Sequence, residues 1–134
     1  MNWKKFFLTG ILGGIVFFAV EQIVYNIVKM VFPFDMLSLA GMRAITDPTM
    51  ILYFVYPFVM AFMLALAYSN FRLEGNAMRK GMKLGMVLFI ALIIPGSFLI
   101  FSSMDYPVGF TVNHLAGGLL GMTALGIVTA KFME

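Results

Sequence analysis

Long apolar runs separated by short polar stretches set the pattern of this chain. The first goes from Phe6 to about Val31 and is broken by Glu21, Gln22 and Asn26. The others cover Ile51 to Ser69, Leu84 to Phe101 and Val108 to Ala130. Each is close to the roughly 20 residues a helix needs to cross about 30 Å of hydrocarbon. The runs are too long for strands and lack their alternation, and an open sheet leaves its edge unpaired in lipid. The pattern therefore predicts an all-α fold: one domain, residues 1–134, forming an antiparallel four-helix membrane bundle.

Local chemistry marks the ends of these helices. Asp47-Pro48 reads as an N-cap followed by proline at the first helical position. Asn76 is placed to cap the third helix after a turn at Gly75, and Asp105-Tyr106-Pro107 makes a tight turn before the fourth. The only substantial loop is 33–46. Its Met36, Leu37, Leu39, Ala40 and Ile45 predict a short helix on the outer membrane surface, or a cover for the mouth of the bundle. Lys4 and Lys5 before an apolar stretch have the shape of a secretory signal. The stretch continues past Glu21, however, and Phe17-Phe18-Ala19-Val20 offers no small-residue cleavage site, so it is read as a retained span.

Composition agrees. The chain is 62% hydrophobic and 11% charged, with a mean hydropathy of +0.99. A soluble fold of 134 residues could not bury that much apolar surface, so the lipid bilayer is the expected solvent and partner. A formal charge of +3 can signal nucleic acid. Here the basic residues flank the apolar runs instead, and no nucleic-acid partner is expected. Lys4, Lys5, Arg72, Arg79, Lys80, Lys83 and Lys131 fall on one side, and only Lys29 and Arg43 on the other. The positive-inside rule then places both termini in the cytoplasm of a cell-membrane protein. The absence of cysteine excludes disulfides and thiolate metal sites.

Small residues mark helix interfaces in lipid. Gly10, Gly14, Phe17, Glu21, Tyr25 and Val28 share a face of the first helix, as do His114, Gly117, Gly118, Gly121, Leu125 and Val128 on the fourth. By helical rise, Glu21 lies roughly 22 Å from the inner end of its span, and His114 roughly 25 Å from Lys131. Gly14 and Gly121 also match in depth, at roughly 12 and 15 Å. A glycine seam between these two helices would bring Glu21 to His114 in the outer half of the membrane.

Glu21 is the one acidic residue inside a predicted span, and the chain has a single histidine. Ionisable groups inside a membrane are costly and carry a functional hypothesis. Gln22, Tyr25, Asn26, Tyr53, Tyr56, Ser97 and Asn113 fall at similar depth, with Pro57 and Pro95, each of which frees a backbone carbonyl. These groups outline a polar pocket opening outward. It is read as a site for a small molecule or a proton, in a binding or transport protein. A hydrogen-bonded knot that pins the helices of an accessory subunit is the competing reading, and a lipid- or quinone-directed enzyme a third. The Met78, Met82 and Met86 stripe is read as packing, so no metal and no cofactor is expected. No nucleotide or hydrolase motif occurs, and no catalytic residue is assigned. Four helices enclose little space, which makes a homodimer plausible.

The chain also resembles a family of small four-span prokaryotic membrane proteins, domain of unknown function seventeen sixty-one. The likeness rests on Met1-Asn2-Trp3, Tyr25 late in the first helix, a compact third span after a basic loop, and His114 followed by glycines. Val24-Tyr25 stands where that family has a Trp-Tyr pair. The family has no assigned activity, so the resemblance implies architecture and no mechanism.

Overall fold

The computed structural model describes residues 2–134. They form five helices: α1 (Trp3–Val31), α2 (Ile51–Asn70), α3 (Ala77–Leu88), α4 (Ile94–Ser103) and α5 (Val108–Met133). A π turn, Phe89–Ile93, joins α3 and α4 into a single span, Ala77–Ser103. There is no strand among the described residues. Four helical spans are long and apolar enough to cross a membrane. The chain is a multi-pass, all-α membrane bundle.

The caps explain where the helices begin. The Asp47 carboxylate accepts from Thr49 N at 2.8 Å, ahead of Pro48 and the 3-10 turn that leads into α2. That hydrogen bond, helped by Arg43, pulls the Asp47 carboxyl down to about 2. Asn76 accepts from Arg79 N at 2.9 Å, after Gly75 turns the chain at φ +115°. The left-handed region suits a residue without Cβ. So α3 starts well ahead of its apolar run: Gly81, Leu84 and Gly85 are buried on one face, while Arg79 and Lys83 keep to the surface. The helix expected within 33–46 is a single 3-10 turn, Met36–Ser38, capped by Asp35 on Leu37 N. Beside it Phe34 is buried, edge-on to the Tyr25 ring at 5.5 Å. A Cβ on Gly109 would lie 2.7 Å from the Phe34 ring, so this stretch folds onto the end of the bundle where α5 begins.

Of the five helices α5 has the most neighbours, packing against α1, α2, α3 and α4, while α2 packs on α1 and more lightly on α5. Between α1 and α5, Phe17 lies on Gly121 and Leu125 on Gly13, and Val24 approaches Gly117. Gly10 and Gly14 do not join this seam. They receive the Phe62 and Phe58 rings of α2. Matching Gly14 in depth to Gly121 named the wrong neighbour, because depth says nothing about which side of a helix a residue occupies. Gly118 makes room for Ile93 of the π turn. The closest approach in the bundle lies elsewhere. Gly81 and Gly126 meet backbone to backbone, and Gly85 sits against the Met122 carbonyl. Phe17, Ala61, Leu64, Leu84, Ile93, Met122 and Leu125 fill the core between these contacts.

α2 and α3 stand apart. A groove of about 220 Å³ runs between them, lined by Met60, Met63, Leu64 and Ala67 on one side, Leu88 and Leu92 on the other, and Met122 at the floor.

One end of the bundle is tied by a polar clasp. Glu134 accepts from Tyr68 Oη at 2.7 Å and from Lys80 Nζ at 2.5 Å, and its main-chain oxygen accepts from Lys5 Nζ at 2.6 Å. Residues next to or within all four spans are thereby joined at the basic end. Hydrogen bonds from Lys80 and then Tyr68 hold the Glu134 carboxyl below the usual carboxylate range. A group depressed in the folded state stabilises above its unfolded value of about 4.3, and that contribution is lost as pH falls through the folded value. Detergent-solubilised protein should therefore unfold more readily as pH drops below about 4. Glu134→Gln should flatten that dependence in a denaturant titration followed by circular dichroism.

Candidate functional site

Two separate polar groups lie in the half of the bundle away from the Glu134 clasp, where a single pocket was expected. The contacts along α1 and α5 fix their register: Gly13 to Leu125, Phe17 to Gly121, Val24 to Gly117. Continued outward, it sets Glu21 level with Gly117 to Leu120 and His114 level with Val24 to Ile27. The two lie three to six residues, roughly 5–9 Å, apart in height. They also face different neighbours, and no ion pair joins them among the described residues.

His114 belongs to the side of the third span. Its Nδ1 is 2.7 Å from the Ser97 hydroxyl, its ring stacks on Phe110 at 6.4 Å, and Gly96 lies under its Cε1. Ser97 is buried and reaches the ring because of the π turn. The inward row of the third span is Gly81, Gly85, Phe89, Ile93 and Ser97, one residue in every four. In a plain α-helix each such step overshoots a full turn by about 40°, which would carry Ser97 well away from Gly81. The wider π turn takes part of that rotation back. Pro95 supplies its cause, since proline lacks an N–H and its ring crowds the carbonyl four residues earlier. Pro95 is visible in the sequence, but the change of phase it brings is not.

Glu21 belongs to the side of α2. It is half-buried, lies within electrostatic range of the Tyr56 phenol, and has no hydrogen bond or cationic partner among the described residues. The Tyr56 ring in turn lies on Phe17, 6.1 Å between centres. One residue along, Gln22 Nε2 donates to Tyr53 Oη at 3.4 Å. Pro57, buried in α2, leaves the Tyr53 carbonyl without its usual donor. Glu21, Gln22, Tyr53 and Tyr56 thus form one polar group between α1 and α2.

The remaining expected residues lie outside it. Tyr25 packs on Phe34, with Lys29 Nζ over its ring at 5.5 Å. Asn26 is exposed and donates to the Gln22 carbonyl of its own helix at 2.8 Å. Asn113 Oδ1 is buried without a hydrogen-bond partner, one residue from His114 on α5. The same is true of the Thr9 and Thr129 hydroxyls, which the α1–α5 register sets opposite each other nearer the basic end. A single threonine is ordinary in a membrane helix, so residue type alone does not mark Thr9 or Thr129 as a polar site. No cluster of three His, Asp or Glu that could hold a metal occurs among the described residues.

Compared with protein-family models, curated proteins and solved structures, the chain matches none of them.

Proposed function

We propose that this is a small binding or transport protein whose site, in the outer half of the bundle, is centred on Glu21 with Gln22, Tyr53 and Tyr56. Its ligand is a proton or a small cationic molecule. One observation carries the proposal: the Glu21 carboxyl lies at membrane depth with neither a hydrogen bond nor a cation to balance it. Helix packing alone would favour an apolar residue there, because an unpaired acidic group in lipid costs a few kcal/mol on insertion scales. The Tyr56 phenol lies within electrostatic range of it, and Gln22, next along α1, holds the Tyr53 hydroxyl.

The accessory-subunit reading draws its support from His114. Its bond to Ser97 and its stack on Phe110 join the third and fourth spans, a pinning role that needs no ligand. An enzyme that used Glu21 and His114 as acid and base would need both at one substrate, and their different neighbours argue against it. Both termini are assigned to the cytoplasm, because the clasped end carries seven of the nine lysines and arginines. The four-span family resemblance is kept within this proposal. Most glycines of the spans are taken up by internal contacts, so a homodimer would have to be built on other side chains.

The site is tested by its reactivity. A lipid-soluble carbodiimide added to the protein in membranes should label one carboxyl, Glu21, found by peptide mass spectrometry. Labelling confined to Glu74, Asp105 or Glu134, with Glu21 untouched, would show that the Glu21 pocket is closed and would overturn the proposal.

A further inference from the structure

A second site lies at the opposite end of the molecule and does not depend on Glu21. Asn76, Met78, Arg79, Met82 and Lys83 line a groove of about 380 Å³ at the start of α3. Arg79 and Lys83 are one helical turn apart, on the same face. Neither has an acidic partner among the described residues. Of the other cations, Lys80 and Lys5 hold Glu134, Arg43 holds Asp47 and Lys29 lies over Tyr25, while Lys4, Arg72 and Lys131 share the lack of an acidic partner but do not line the groove. Asn76 uses its side-chain oxygen as the helix cap, which leaves its amide NH₂ facing no protein acceptor. Around these donors the surface is apolar. Met78 and Met82 are 54% and 46% exposed, and Met86 continues the stripe one turn deeper at 42%.

We propose that this groove binds the headgroup of an anionic phospholipid. A guanidinium, an ammonium and an amide converge at the level of the membrane interface, where lipid phosphates lie. The methionine stripe runs from them into the hydrocarbon, along the path of the glycerol and the first methylenes. Methionine suits that role because its flexible thioether adapts to a mobile chain. Arginine offers a fork that fits phosphate oxygens, and the lysine adds a point charge. A zwitterionic headgroup brings its own ammonium into a groove that already holds two cations, so the site selects for net negative charge. Basic pockets beside spans on the cytoplasmic side are suited to such headgroups.

The test is native mass spectrometry of the full chain, released from mild detergent after titration with phosphatidylglycerol or phosphatidylcholine of matched acyl chains. Phosphatidylglycerol should be retained in preference, and R79Q/K83Q should weaken its binding roughly thirtyfold, at about fivefold per cation. The charge-preserving pair R79K/K83R should keep most of the binding, which separates lost charge from lost fold. K4Q/K131Q removes the same charge elsewhere on that end and should change little. Equal losses in R79Q/K83Q and K4Q/K131Q would mean diffuse surface charge and overturn the site. Equal retention of the two lipids would overturn it as well. Displacement of phosphatidylglycerol by excess inorganic phosphate would show that a free anion, not a lipid, is the ligand.

Discussion

Replacing Gly126 with valine should push α5 away from α3 and destabilise the bundle by about 3 kcal/mol, the upper range for overpacking. The reason is what a new Cβ would meet. At Gly126 it runs into the Gly81 carbonyl, with Gly85 N at 3.2 Å, so the obstacle is backbone and no side chain can turn aside. The same holds in reverse at Gly81, which faces the Gly126 carbonyl. Gly14 and Gly117 are more forgiving. Gly14 meets the Phe58 ring, which can rotate, and a Cβ on Gly117 would find only Val24 Cγ1, at 3.9 Å. Gly117→Ala should therefore be tolerated, and helix propensity favours it by up to about 1 kcal/mol. Unfolding in mixed detergent, followed by circular dichroism, would rank the variants. A Gly126→Val protein as stable as Gly117→Ala would show that α3 and α5 do not touch as described.

Glu21→Gln should have the largest effect on function and little on folding. Glutamine keeps the size and the hydrogen-bonding capacity of the side chain but cannot titrate. No ion pair depends on Glu21, so its removal leaves no orphaned cation in the membrane. Proton-coupled uptake or pH-dependent binding in proteoliposomes should vanish, while the yield and the circular dichroism spectrum stay as in the native protein. His114→Phe should do the opposite, keeping pH dependence while loosening the bundle through the lost Ser97 bond. If Glu21→Gln retained full pH-dependent activity and His114→Phe lost it, the roles assigned to the two groups would be reversed.

The spans, their order and the Asp47 and Asn76 caps were legible in the sequence, because length, hydropathy and capping chemistry are local properties; the Asn2 cap of α1 and the Asp35 cap of the 3-10 turn were not expected. Asp47, Asn76 and Gly75 act as their residue types imply. The helix faces were readable too: Gly10, Gly14 and Phe17 are all buried, and so are Gly117, Gly118, Gly121 and Leu125. Partners were not. A glycine announces that something comes close without saying what, so Gly14 was matched with the wrong helix. Glu21 and His114 were paired because their depths agreed, but pairing also needs the rotation of each helix. That rotation was altered in the third span by the π turn ahead of Pro95, which gave Ser97 to His114. The Glu134 clasp depends on three residues far apart in the chain, and no short pattern signals it.

The uneven anchoring of the helices has a dynamic consequence. The third span is fastened to α5 by touching backbones near the clasp and by Ser97 and His114 farther out, and α1 is keyed to α5 by interlocking Phe17 and Leu125. α2 is fastened chiefly along a single edge, to α1, and carries a proline near its middle. A helix weakened at one point and free on its opposite flank is the element that can swing. Its portion on the side of the proline away from the clasp bears Tyr53 and Tyr56, so any tilt of that portion would widen or narrow the space in front of Glu21.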